Sequence, residues 1–294
     1  CRYCIVPHLR RRIRSRPAEE IVPEIEGLIA AGHREVVLCG VSLGAYGRAT
    51  SRPVEGPGPA PLVPLLDRVA ALPGLWRVRL SSLHPSDVTA DLLAVIRDRP
   101  AVAPHLHLPL QSGSDAVLAA MGRPYSAADF LAAVKAFRGV AEDAAVTTDV
   151  IVGYPGESEA DFVDTMDLAR RAAFSRMHVF GFSPRRGTPA WQSRRDAPPA
   201  EIVRDRSARL RELGEDLAAD YRRRFLGRRV ECLVEKPNSK TPPGCARALT
   251  DRYVEVYFPA ERPRDLAGRV VAVEIEALAP RGVMSRLTDA VDGQ

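Results

Sequence analysis

The chain has 294 residues, 46% hydrophobic and 27% charged, with a formal net charge of +5 and a sequence pI of about 9.1. That length accommodates one large and one small domain, each with its own core, and the composition excludes a disordered or low-complexity chain. No apolar run approaches the ~18 residues of a membrane span, and an odd number of cysteines argues against a disulfide scaffold.

The basic charge is nearly all arginine; Lys135, Lys236 and Lys240 are the only lysines. Arginine suits phosphate recognition, although GC-rich codons explain most of the same bias. The first 17 residues, CRYCIVPHLRRRIRSRP, hold a CxxC at Cys1 and Cys4 and six arginines. A redox CxxC normally follows a strand and opens a helix; here Ile-Val-Pro follows. Zinc needs four ligands and no second CxxC exists. An iron–sulfur cluster also wants more thiolates than two. Taken alone, the motif is incomplete.

Beyond it the pattern alternates. EVVLC (35–39) reads as a strand, PLVPLLDRVAAL (61–72) as a helix, WRVRLSSL (76–83) as a strand, and PSDVTADLLAVIRD (85–98) as a helix with a Ser/Asp start. HLHLPL (105–110) is a short strand. Helical spacing returns over 114–121 and 126–138, and 145–158 runs from a strand into a Gly/Pro turn. Ser158 with Asp161 resembles a capping box for a helix to 172, and 176–183 is a fifth strand. Strands alternating with helices predict βα units on a parallel sheet, whose ligand loops lie at the strands' carboxyl ends. The stretch 50–61 is a Pro/Gly-rich loop. From 198 to 227 a single charged helix is expected, and after it short alternating runs predict a small antiparallel barrel.

The opening motif, together with VVLCGVSLGAYG, VRLSSLHP, HLHLPLQSGS, TTDVIVGYPGESEADF and MHVFGFSPRRGTPA in that order, resembles the radical S-adenosylmethionine (SAM) tRNA methylthiotransferases over almost the whole chain. The terminal barrel is similar to the family's RNA-binding TRAM domain. The resemblance implies an α/β fold, a partial (βα) barrel over 1–226 lacking its first strand, followed by a TRAM-like barrel over 227–294. It also implies that Cys1 and Cys4 are two ligands of a 4Fe–4S cluster whose third cysteine precedes the chain. The family's second 4Fe–4S cluster sits on an N-terminal domain, so the chain is expected to be a fragment.

By the same resemblance, Tyr3 packs near the cluster or SAM, and Gly40 to Ser42 meet the SAM amino group. Arg79, Ser81 and Ser82 hold its carboxylate and ribose, and Gln111 and Ser112 face the ligand. The loop Gly153–Tyr154–Pro155–Gly156–Glu157 lies beside the adenine, with Val179 and Phe180 on the last strand. No residue is assigned as catalytic beyond the cluster. Arg10, Arg14, Arg16, Arg185 and Arg186 are candidate RNA contacts, a solvated face being the plain alternative. The stretch 185–229 carries 13 arginines against 7 acidic residues, whereas 230–294 is close to neutral.

Cys39 and Cys232 read as core thiols, Cys245 is open, His105 and His178 read as structural, and His107 and His84 as structural or substrate-edge residues. The implied partners are a tRNA anticodon loop and an electron donor of unknown identity, in a cytoplasmic setting with neither membrane nor DNA. GVSLGAYG and CIVPHLRRRIRSR look most like the threonylcarbamoyladenosine branch, ahead of the isopentenyladenosine branch. A clusterless RNA-binding remnant is the reading from another class.

Overall fold

The computed structural model describes residues 1–10, 14–47 and 61–290, with the backbone alone at 289 and 290. Arg11, Arg12 and nearly all of the 50–61 loop lie outside the described residues. The first part runs α1 (Val6–Leu9), α2 (Ala18–Ala30), β1 (Glu35–Leu38), α3 (Leu62–Ala70), β2 (Arg77–Leu80), α4 (Ala90–Asp98) and β3 (His105–His107). It continues with α5 (Asp115–Met121), α6 (Ala127–Val140), β4 (Ala145–Val152), α7 (Glu159–Ala172), β5 (Arg176–Gly181), α8 (Pro189–Gln192) and α9 (Ala200–Arg223).

Local chemistry sets the helix starts. Ser158 and Asp161 form the expected capping box at α7, as Ser126 and Asp129 do at α6. The helix expected from Ser86 begins later: Pro85–Asp87 make a 3₁₀ turn, and the Thr89 hydroxyl accepts the Leu92 N–H at 3.3 Å to start α4. Helix α2 has no counterpart in the sequence reading. Pro23 sits inside it and breaks the pattern, yet Val22 and Ile25 bury its inner face.

All five strands are parallel and follow one another in chain order, the arrangement of a partial barrel rather than of a doubly wound sheet. The sheet is interrupted, with β1–β2 on one side and β3–β4–β5 on the other. A Val78–Val102 bridge joins β2 to the approach of β3, and beyond it the Leu83 N–H donates to the His107 carbonyl at 3.0 Å. One face carries Val36, Leu38, Val78, Leu80, Leu106, Val146, Val150 and Val152 into the helices. The alternate positions face the other way: Glu35, Arg77, Arg79, His105, His107, Thr147, Asp149 and His178. Parallel strands are normally apolar on both faces, so this charged open face calls for an explanation.

Strands β6 (Arg229–Glu235), β7 (Cys245–Thr250), β8 (Glu255–Pro259), β9 (Val270–Leu278) and β10 (Val283–Ala290) close into a five-stranded barrel in the order β10-β8-β7-β6-β9. Closure leaves no free edge, and Cys232, Val234, Ala248, Val256, Phe258 and Val273 fill its centre. Helix α9 links the two parts. Its Gly214 admits Met177 of β5, and Tyr221 and the following Phe225 enter the barrel's core. The helix expected over 198–227 spans Ala200–Arg223, and Gly227 turns the chain at φ +73°.

Candidate functional site

The opening segment docks on the carboxyl ends of β3 and β4. The Arg2 N–H donates to the Met121 carbonyl at 2.9 Å, and the Ala190 N–H donates to the Arg2 carbonyl at 3.0 Å. Between the two cysteines, the Tyr3 hydroxyl donates to Gln111 Oε1 at 3.0 Å and accepts from Arg123. The Tyr3 ring meets Tyr154 edge-on at 6.4 Å. Gln111 holds φ at 69°, the left-handed region that a residue of its size enters only when its surroundings impose it. The imposition is visible: its N–H bonds the Asp149 carbonyl at 2.8 Å and its carbonyl takes the Ile151 N–H at 2.9 Å. The strain aims the Gln111 side chain at Tyr3 and thereby fixes the cysteine segment.

Cys1 is exposed and Cys4 half-buried. Among the described residues no group of three or more His, Cys, Asp or Glu is placed to hold a metal ion. Cys1 and Cys4 are free thiols, the donor type that an iron–sulfur cluster takes.

The neighbouring loops form a rim. The Gly40 N–H donates to Ser81 Oγ at 3.2 Å, tying the tips of β1 and β2, with Ser82 exposed beside them. Ser42 opens the 3₁₀ turn Leu43–Ala45. After β4, Gly153 takes φ +80°, and a Cβ there would lie 2.5 Å from Val203 of α9. Pro155 follows, and the Gly156 N–H donates to the Asp196 carbonyl at 2.9 Å. Phe180 is 52% exposed on the open face.

Several expected ligand contacts are otherwise engaged. Arg79 is 2% exposed and does not reach the rim: it pairs with Glu35 at 2.9 Å and donates to the carbonyls of Asp251 at 2.7 Å and Thr250. Its neighbour Arg77 does the same with Glu35 and the Leu249 carbonyl. Both guanidiniums pin the barrel's β7–β8 turn beneath the sheet, because odd positions of β2 face the open side. Ser112 is fully buried, its hydroxyl spent on Thr165 and the Ser114 N–H.

The Glu157 carboxylate accepts from the Gly153 N–H at 2.7 Å and from Arg206 at 2.9 Å, and burial raises its pKa. It shapes the loop from inside. Cys39 is exposed rather than in the core, because β1 ends at Leu38. Cys232 is buried, and desolvation lifts its thiol to about 12.

Of the candidate RNA contacts, Arg16 is paired with Glu24 at 2.6 Å. Arg10, Arg14, Arg185 and Arg186 are exposed, and Arg186 lies over the Trp191 ring, which Arg194 also covers at 4.4 Å. In the barrel, by contrast, Arg247 pairs with Glu235 and Glu255, and Arg286 with Glu274 and Glu276.

A set of open-face side chains was missed as a group by sequence reasoning. His105 Nε2 lies 3.1 Å from Thr147 Oγ1, which lies 2.9 Å from His107 Nδ1, and His107 Nε2 is 3.3 Å from Asp149 Oδ2. In the tautomer where His107 Nε2 donates to Asp149, its Nδ1 accepts the Thr147 hydroxyl, and Thr147 accepts from His105 Nε2. This leaves His105 Nδ1 a lone pair, and that atom is buried without a hydrogen-bond partner among the described residues. Burial and the nearby Arg79 charge hold the His105 pKa down at about 3, consistent with a neutral ring. The chain of donors thus ends on a half-buried carboxylate. The alternation HLH was the available signal, but it reads equally well as a strand with structural histidines.

Residues 1–169 match the family model described as the radical SAM superfamily. The chain belongs to the radical SAM superfamily. The threonylcarbamoyladenosine tRNA methylthiotransferase MtaB of Thermotoga maritima is 37% identical over all of this chain and 64% of its own length. A tRNA-2-methylthio-N(6)-dimethylallyladenosine synthase of Chloroflexus aurantiacus is 37% identical over all of the chain and 62% of its own. That of Anaeromyxobacter dehalogenans is 41% identical over 94% of the chain and 58% of its own. The chain therefore spans about six tenths of the length of these relatives. Among solved structures, methylornithine synthase superposes with a TM-score of 0.47 at 20% identity, over 75% of this chain and 65% of that one. Radical SAM enzymes use a 4Fe–4S cluster and SAM. No helix among the described residues is long and apolar enough to cross a membrane.

Proposed function

We propose that this chain is the SAM-binding and RNA-positioning part of an enzyme that methylthiolates C2 of N6-threonylcarbamoyladenosine next to the tRNA anticodon. The observation that carries the reading is the Cys1–Tyr3–Cys4 segment held by Gln111 at the carboxyl ends of β3 and β4 in a radical SAM chain. When bound, the cluster supplies one electron to cleave SAM into methionine and a 5′-deoxyadenosyl radical. The chain's own residues hold and shelter the reactants. Cys1 and Cys4 take two irons. Gly40, Ser42, Ser81, Ser82 and the 153–156 loop offer backbone and hydroxyl groups to SAM, and Phe180 offers an apolar face. Arg10, Arg14, Arg185 and Arg186 meet the RNA phosphates, and the terminal barrel is a TRAM-like domain. The rest of the reaction draws on a second 4Fe–4S cluster and an electron donor.

A second reading, with isopentenyladenosine as substrate, is favoured by the dimethylallyladenosine synthases that match at comparable identity. The test is nucleoside mass spectrometry of tRNA from cells whose chromosomal gene carries Cys4→Ala. Loss of the methylthio form of threonylcarbamoyladenosine alone supports the first reading. Loss of the methylthio isopentenyl form supports the second. An unchanged tRNA contradicts both.

A further inference from the structure

The open face of the three-stranded sheet is layered by its register. Ala145 and His105 lie deepest, with the Tyr253 ring from the β7–β8 turn stacked on His105 at 4.8 Å. The next level holds His107, Thr147 and Arg176, and above it Asp149 faces His178 across the strands. Gln111, Ile151 and Phe180 form the rim, with Tyr3 bonded to Gln111. The barrel closes this concavity from below, and the predicted cofactor rim lies above it. The middle levels, charged and half-exposed, have no task in holding cluster or SAM.

Two features mark those levels as a binding surface rather than a self-satisfied network. The donor chain His105–Thr147–His107 orients Asp149 through Oδ2 alone, and Oδ1 finds no hydrogen-bond partner among the described residues. Arg176, beside Thr147 in register and electrostatically coupled to His178, has no carboxylate partner among the described residues. An oriented acceptor and an uncommitted guanidinium thus share one face within two residues' rise of each other, ~7 Å along a strand.

We propose that Asp149, His178 and Arg176 form the subsite for the N6 arm of the substrate nucleoside, and that the arm it selects is polar and ends in a carboxylate. Asp149 Oδ1 accepts an N–H of the arm, while Arg176, with His178 beside it, takes the terminal carboxylate. A hydrocarbon arm would strip water from the same three groups and return no hydrogen bond. This inference rests on the tRNA methylthiolation reading and gives that reading a physical discriminator between its two substrates.

The test is fluorescence anisotropy of the full chain with three anticodon stem-loop RNAs. They are identical except for threonylcarbamoyladenosine, isopentenyladenosine or adenosine next to the anticodon. The expected result is that the threonylcarbamoyl RNA binds about tenfold or more tighter than the adenosine RNA, the size of one or two charge-assisted bonds. Asp149→Asn and Arg176→Met should each remove most of that preference, read as the ratio of the threonylcarbamoyl RNA's affinity to the adenosine RNA's within each variant. Arg176 is exposed, so its substitution leaves the fold intact even if the Asp149 variant is destabilised. Equal binding of the three RNAs, tightest binding of the isopentenyl RNA, or an undiminished preference in both variants overturns the subsite. Failure of the wild-type chain to bind any of them overturns the tRNA reading itself, and the subsite with it.

Discussion

At the residue scale, the charges on the open face act by where they are held. His105 is the clearest case: its pKa falls from 6.5 to about 3 because the ring is buried and Arg79 is near. The folded ring stays neutral while the unfolded one takes a proton below pH 6.5. Stability from this site is therefore complete above pH 6.5 and is lost as pH falls toward 3, at ~1.4 kcal/mol per unit. His105→Phe keeps the stacking on Tyr253 and removes the titration. Urea midpoints between pH 7 and pH 4 should fall less steeply for this variant than for the wild type; equal slopes would refute the assignment. Tyr3→Phe removes the hydroxyl that bonds Gln111. Its expected effect is a weaker hold on the cysteine segment, read as faster hydrogen exchange at the Arg2 amide.

The individual roles of such residues were the least legible part of the sequence. Arg79 stands in the motif where a ligand arginine was expected, but its register on β2 turns it toward the β7–β8 turn. A partner 172 residues away for the Asp251 contact is not visible in local pattern.

At the element scale, the loop after β4 is shaped by α9. Arg206 is 4% exposed and holds the buried Glu157, which holds the Gly153 N–H. Arg206→Met leaves that carboxylate buried and unpaired, at a cost of ~3 kcal/mol. Burial already raises the Glu157 pKa, so lowering the pH protonates it and should recover part of the loss. The double variant Arg206→Met/Glu157→Gln should be less destabilised than Arg206→Met alone in thermal unfolding; an equal loss would show that the carboxylate is not the cause. Here the sequence was more informative. The capping box at Ser158, the helical spacing of α5 and α6, the Gly-Tyr-Pro-Gly turn and the alternating strands were read from local chemistry, and the structure places them so. Helix α2 was hidden by Pro23, and the Ser/Asp start at 85–87 proved to be a 3₁₀ turn, since Thr89 caps the helix instead.

At the scale of the whole molecule, the parallel sheet and the five-stranded barrel are locked by a few buried groups. Arg77 and Arg79 share Glu35 and bind three carbonyls of the barrel, Tyr253 stacks on His105, and the Tyr221 hydroxyl donates to the Asp143 carbonyl at 2.5 Å. A double variant, Arg79→Met/Tyr253→Ala, should split one cooperative unfolding transition into two, measured by calorimetry; a single transition at lower temperature would mean that α9 alone couples the parts. Alternation of strands and helices made the βα architecture readable, and the change of period after 227 made the small barrel readable. The lock between them was not, because most of its contacts pair side chains with backbone carbonyls, which carry no sequence signal.

The claim on which the functional account turns is that Cys1 and Cys4 bind a cluster that cleaves SAM. The direct measurement is 5′-deoxyadenosine release by the complete gene product that contains this chain, reconstituted anaerobically with iron and sulfide, given SAM and a strong reductant, with electron paramagnetic resonance on the same sample. The account predicts a reduced 4Fe–4S signal that shifts on adding SAM, together with 5′-deoxyadenosine, and the loss of both in Cys4→Ala. A wild-type gene product that binds tRNA with salt dependence but retains no iron and releases no 5′-deoxyadenosine would contradict it and leave an RNA-binding protein without radical chemistry.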